Sequence, residues 1–230
     1  MFPKEQEWLR REDELAEELM VLLGEEYDDV IAMIESGQID LEGYWAKRKN
    51  KWVDTLGKAA KGAFVASVLF DLVRLFGGSD PPDYREQMQL DALAYVADYV
   101  QRTAGDITGT SGEVVTSLVA ELALGEIDLA ELKERLVEAG FSEARARTIA
   151  VTENTRAMFH GEEKTREFLR SQGFEVVAVW YTANDDQVCE LCGPLHGTYE
   201  DGPGRGWGGR GYTPANTHIG CRCRTRTIVL

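Results

Sequence analysis

All four cysteines of this 230-residue chain fall within one short stretch, as Cys189-x-x-Cys192-Gly193 followed 25 residues later by His218-x-x-Cys221-x-Cys223. No other feature constrains the fold as much. The intervening segment is poor in core formers, with six glycines in residues 202–211, and cannot hold itself together by apolar burial alone. A Cys-x-x-Cys turn lets two thiolates converge on one ion at about 2.3 Å, and the glycine after it lets backbone N–H groups turn toward the sulfurs. His218-x-x-Cys221 has the same spacing, and Cys221 and Cys223 share a face of an extended segment. The expected ligands are therefore Cys189, Cys192 and a choice from His218, Cys221 and Cys223. Five donors compete for four places. The ion expected is one zinc per chain in a structural role, because a closed four-ligand set is structural, whereas an open position would activate water. Without an export signal at the N-terminus, such clustering favours metal over disulfides.

The rest of the chain reads as mainly α with a small α+β C-terminal module that contains this loop-rich segment. Apolar residues recur near a 3.6 period through residues 4–35. A second helix is expected from Leu41 to Phe76, basic in its first half and apolar in its second; its apolar end, interrupted by Asp71 and Arg74, is too short to span a bilayer. Gly77, Gly78, Pro81 and Pro82 stop it. A third helix is predicted over 83–103, a Gly/Thr/Ser loop over 105–112 and a short helix over 113–124. Asp128 with Glu131 makes a capping box for a helix ending at Gly140. Ser142 opens another that runs to Gln172, closed by Gly173. Phe174–Thr182 is the one convincing strand. The expected division is an N-terminal helical region, 1–80, and a second domain, 83–230, with its metal-binding module at 174–230.

The formal net charge of -15 argues against the whole chain wrapping nucleic acid. The charge is split, however: residues 1–40 carry 13 acids against 3 bases, while the stretch from Gly202 onward holds five arginines and no acid. Arg222, Arg224 and Arg226 are thus the candidates for contact with nucleic acid or another acidic surface. Glu153 falls on an apolar helical stripe and needs a partner, which Arg156 at i+3 can supply as a structural ion pair. His160 and His196 lack partners at ligand spacing. Gly204-x-Gly206-x-x-Gly209 follows no βα unit and reads as chance. The order of Cys-x-x-Cys and histidine, with no His-x-Glu, excludes the zinc-deaminase signature. No catalytic residues are expected.

Three runs together, RARTIAVTENTRAMFHG (145–161), VWYTANDDQVCELCGPLHG (179–197) and PANTHIGCRC (214–223), resemble the phage Mu F-like head morphogenesis family. The resemblance covers about Leu118 to Cys223; Ile219-Gly220 stands where the family often has a proline-asparagine pair. It implies a minor head protein that associates with the portal and other head proteins in the procapsid interior, passing through the host cytoplasm before assembly. It implies no membrane and no small-molecule substrate. A weak, sequence-independent DNA contact is the alternative use of the basic tail, and a toxin or nuclease domain a further one.

Overall fold

The computed structural model describes residues 3–77, 82–183, 185, 187–200 and 207–230. Six helices and two strands follow in order: α1 (Pro3–Ser36), α2 (Leu41–Phe76), α3 (Pro82–Tyr95), α4 (Gln101–Leu124), α5 (Leu129–Ala139), α6 (Glu143–Ser171), β1 (Val176–Tyr181) and β2 (Arg224–Val229). A single π turn, Val96–Val100, joins α3 to α4 without a break. The architecture is the expected one, mainly helical with a small C-terminal α+β module. No helix is long and apolar enough to cross a membrane among the described residues.

The local start signals act as the sequence predicts. The Asp128 carboxylate accepts from the Glu131 N–H at 2.8 Å, and the Ser142 hydroxyl accepts from the Arg145 N–H at 3.3 Å, satisfying donors that a helix start leaves open. The expected loop at 105–112 is instead the middle of α4. Its hydroxyls bond back to the preceding turn, Thr108 to the Ala104 carbonyl and Ser111 to that of Ile107. Two of its three glycines, Gly105 and Gly112, are explained by packing on α2. A Cβ on Gly112 would stand 3.2 Å from the Trp45 ring, and one on Gly105 would stand 3.2 Å from the Lys49 ammonium. Tertiary packing overrides helix propensity here.

One apolar core joins α1, α2, α4, α5 and α6, built on Leu19, Trp52, Leu132, Leu136 and Ala150 among others. The break at Gly77–Pro82 therefore separates two helices, while the core runs across it. A second cluster, Phe64, Val68, Leu72, Tyr84, Met88 and Ala92, fixes α3 to α2. Of the basic residues in the first half of α2, one is internal and serves the core. Arg48 is buried and bonds Glu25, Glu26 and the Leu22 carbonyl, and Trp52 donates to Glu26 at 2.7 Å.

Glu12 of α1 is buried where α1 meets α6, accepting from the Trp8 indole and from the Asn154 amide. Burial pushes its carboxyl up to about 7, against the lowering effect of those donors and of Arg222, with Asp13 adding to the rise. A raised carboxyl binds its proton more tightly in the folded state, so stability is full below the ordinary value of 4.5 and falls as pH rises toward about 7. The loss over that window is on the order of 3 kcal/mol. Glu12→Gln keeps an acceptor for Trp8 and should flatten this part of the profile. Melting temperatures at about pH 5 and about pH 8 for both proteins test it: the variant should gain relative stability only at the higher pH.

The strands form an antiparallel pair in the register Val176↔Val229 through Tyr181↔Arg224. The far side of β1 is covered by residues 197–200, with the Trp180 N–H on the Thr198 carbonyl at 2.9 Å and the Glu200 N–H on that of Ala178 at 2.9 Å. β2 is a strand the sequence reading did not anticipate. Its inward residues are threonines instead of apolar side chains, so the alternation looks like a basic tail. Thr225 donates to buried Glu162, and Thr227 donates to buried Asp71 at 3.1 Å.

Candidate metal centre and its seat on α6

Cys189 and Cys192 sit on a tight turn after β1. The Gly193 and Cys192 N–H groups both bond the Cys189 carbonyl, at 2.9 and 3.1 Å, and the Cys192 N–H also faces the Cys189 sulfur at 3.4 Å. His218 enters from the opposite loop. Its Nε2 lies 3.2 Å from Cys189 Sγ and 3.3 Å from Cys192 Sγ, while its Nδ1 faces the Ile219 carbonyl at 2.9 Å. A proton on Nδ1 donated to that carbonyl leaves the Nε2 lone pair directed at the sulfurs, the arrangement a metal-binding histidine needs. Cys221 Sγ lies 4.0 Å from Cys192 Sγ. For comparison, four ligands placed tetrahedrally at about 2.0–2.3 Å stand roughly 3.5–3.8 Å apart.

The five donors form two triangles, Cys189–Cys192–His218 and Cys192–Cys221–Cys223, that share Cys192. Either group has the composition and spacing to hold a metal ion. A cavity of about 20 Å³ lies between them, lined by Cys189, Cys192, His218 and Cys223. That is room for a single ion or water. Burial and the neighbouring Cys221 push the Cys192 thiol up to about 12. The Cys223 side chain, with burial, pushes Cys221 up. At Cys189, burial is outweighed by backbone N–H groups and the thiol is lowered. Buried sulfurs packed together resist ionising until a cation supplies the opposite charge.

The module is seated on one segment of α6, Thr152 to Arg156. The Gly220 N–H donates to the Thr152 hydroxyl at 2.8 Å, the Thr155 hydroxyl donates to the Cys221 carbonyl at 2.7 Å, and Arg156 Nε donates to the Ala215 carbonyl at 3.0 Å. Each bond fixes the backbone of the donor-bearing loop. Glu153, buried, takes Arg156 Nη1 at 2.9 Å, and the same nitrogen reaches the Tyr99 hydroxyl at 2.8 Å. Burial raises the Glu153 carboxyl, and Arg156 opposes that rise. Arg156→Ala should therefore cost about 3–5 kcal/mol by leaving a buried carboxylate unpaired, whereas Glu153→Gln should cost much less. Denaturant titration of both variants checks the order.

Thr152 and Thr155 were not singled out from the sequence. A helical i, i+3 hydroxyl pair is unremarkable until its partners in the distant loop are known. Trp207, fully buried edge-to-face against Trp180 at 5.5 Å, is a second anchor the glycine-rich composition conceals. Gly204 and Gly206 of the apparent dinucleotide fingerprint lie outside the described residues, as does Arg205. His196 is not among the clustered donors; its Nδ1 meets the Thr182 hydroxyl at 2.8 Å. His160 lies on α6 against Glu163 at 2.9 Å. The three candidate arginines are engaged within the protein. Arg222 pairs with Asp185 at 2.5 Å, Arg226 lies over the Tyr181 ring at 5.1 Å, and Arg224 also has an intramolecular partner.

Fold and site together define a class: a helical body carrying a compact Cys/His-rich module whose donor clusters could hold a metal ion. Residues 113–226 match the family described as Phage Mu protein F like protein, so this C-terminal segment of the chain belongs to the phage Mu F-like family. The matched segment begins in α4 and ends in β2, so it contains α5, α6, β1, the first half of β2 and every candidate donor. No curated protein and no solved structure matches the chain.

Proposed function

We propose that this protein is a non-enzymatic phage head morphogenesis component that assembles beside the portal inside the procapsid, with its C-terminal module closed by one structural zinc ion. Family membership supports the head role. The closed donor cluster seated on Thr152–Arg156 supports the structural part. Cys189, Cys192 and His218 form three corners of the zinc site, and Cys223, which lines the small cavity, takes the fourth. Cys221 is the spare sulfur, its backbone held by Thr155. The five clustered donors are enough to close a four-coordinate site without a water ligand, which favours a structural role over a hydrolytic one.

A DNA contact through Arg222, Arg224 and Arg226 is the weaker reading, because each is already held within the protein. The test of the assembly role is incorporation. Tagged protein co-expressed with the portal and scaffold of its own phage should co-purify with procapsids. Procapsids that form without it, and portal that never captures it, would overturn the proposal.

A further inference from the structure

The donor cluster holds one sulfur more than a four-coordinate ion needs. With Cys189, Cys192, His218 and Cys223 as ligands, Cys221 is left over, yet it stays within the cluster. Its Sγ stands 4.0 Å from Cys192 Sγ, in van der Waals contact, and both residues are buried. The two belong to opposite loops, 29 residues apart in sequence, and all four cysteines are free thiols.

Other sulfur pairs are less suited to bridge. Cys221 and Cys223 are two residues apart at the entry to β2, where an extended chain sets Cα atoms about 6.6 Å apart, near the outer limit for a disulfide. A bridge between any two ligand sulfurs, such as Cys189 and Cys192, takes two donors from the ion at once. A bridge from Cys192 to Cys221 takes one, and its other sulfur is free from the start. Both backbones are already fixed. The Cys221 carbonyl accepts from the Thr155 hydroxyl at 2.7 Å, and the Cys192 N–H donates to the Cys189 carbonyl at 3.1 Å. Only the side chains need turn, closing the gap by about 2 Å to the bonded length. The small cavity beside Cys192 is also lined by Ala183 and Gln187, which are exposed, so a small oxidant has a way in from solvent.

We infer that Cys192 and Cys221 form a disulfide when the protein meets a peroxide, so that a covalent bridge takes over from the ion as the closure of the module. Cys192, as a thiolate, attacks one peroxide oxygen; the O–O bond breaks, leaving a sulfenic acid on Cys192 and a hydroxide. The Cys221 sulfur then attacks the Cys192 sulfur and the S–O bond breaks. The departing oxygen takes the Cys221 proton and leaves as water. Two electrons pass from the sulfur pair to the peroxide. Cys192 then ceases to be a ligand, and Cys189, His218 and Cys223 are too few for a closed site. The bridge ties the two loops directly and restricts the unfolded chain. Cytosolic thiols stay reduced, whereas disulfides persist at virion surfaces, so the two closures suit the two settings a head component meets. The inference rests on the zinc reading proposed above.

Treatment of the intact, zinc-loaded protein with hydrogen peroxide and then with a chelator tests it, read by peptide mapping, released zinc and tryptophan emission. The bridge should map to Cys192 and Cys221, with about one equivalent of zinc released per bridge. Chelation of the reduced protein should shift the emission of Trp180 and Trp207 to the red. The oxidised protein should keep its emission unshifted without zinc, and dithiothreitol with added zinc should restore the starting state. Cys221→Ser, treated with peroxide and chelator alike, should shift to the red because no second closure forms. A bridge mapping to Cys189 and Cys192, a wild type that keeps its thiols under peroxide, or unshifted emission in the treated Cys221→Ser would each overturn the inference. Zinc content measured before peroxide keeps the two readings apart: protein that starts without zinc strikes the zinc reading, and zinc-loaded protein that forms no bridge strikes this one alone.

Discussion

Cys192→Ser should empty the metal site and unfold the C-terminal module while the helical body stays formed. Cys192 is the one donor common to both triangles of ligands, so its loss leaves neither triangle complete. Zinc sites in small modules contribute on the order of 10 kcal/mol to folding, comparable to the whole stability of a typical domain. The local apolar cluster is modest: Phe159, Ala178, Trp180, Leu195 and Trp207 beside the cysteines. It cannot replace a term of that size. Wild-type protein purified under reducing conditions should carry about one equivalent of zinc by elemental analysis. Cys192→Ser should carry almost none, with far-ultraviolet dichroism largely retained and tryptophan emission shifted to the red as Trp180 and Trp207 meet water. Cys223→Ser should behave like Cys192→Ser, and Cys221→Ser should keep its zinc. Folded wild-type protein without bound metal would remove the zinc reading altogether, and zinc kept in Cys223→Ser but lost in Cys221→Ser would exchange the roles of those two sulfurs.

Gly161→Ala should destabilise the whole helical body, although alanine is the better helix former. An added Cβ would stand 2.2 Å from the Ser67 hydroxyl and 2.6 Å from the Phe64 carbonyl oxygen of α2. The hydroxyl is itself committed, donating to the Met158 carbonyl at 2.9 Å across the helix interface. Helix propensity returns at most about 1 kcal/mol. Overpacking a rigid interface costs typically 1–3 kcal/mol and more when backbone must move, and here the second obstacle is backbone. A net loss of roughly 2–3 kcal/mol should lower the melting temperature by about 4–12 °C in a chain of this size. Adding Ser67→Gly should recover only part of it, because the Phe64 carbonyl remains in place. Full recovery would show that the side chain alone sets the spacing of α2 and α6.

These two sites mark what the sequence reveals and what it hides. The donor cluster is legible because metal chemistry demands particular residues at particular spacings, and those spacings are short. The starts of α5 and α6 are legible for the same reason: Asp128 and Ser142 act on N–H groups three residues away. The continuity of α4 is not legible, because Gly105 and Gly112 are justified only by Lys49 and Trp45 on another helix. The roles of Thr152 and Thr155 depend on Gly220 and Cys221, 68 and 66 residues distant. β2 escapes for a further reason. A strand is recognised by alternating apolar residues, and Arg224–Val229 replaces the inward ones with threonines whose partners, Glu162 and Asp71, come from α6 and α2.

That substitution has a mechanical consequence. Where an apolar face holds a strand, neighbouring alignments differ in burial but each can form some contact. Here Thr225 and Thr227 present hydroxyls to two buried carboxylates, so only one alignment along the strand satisfies them. Sliding β2 by a single position would turn Arg224 and Arg226 inward and bring Thr225 and Thr227 out to water. The sequence Cys223-Arg224-Thr225 also ties this alignment to the metal cluster, with one residue between the last sulfur and the first inward hydroxyl. The cysteine end and the threonine end thus act as two pins through the same short rod. Inserting or deleting one residue between them would force the chain to give up either the clustering of the donors or the carboxylates.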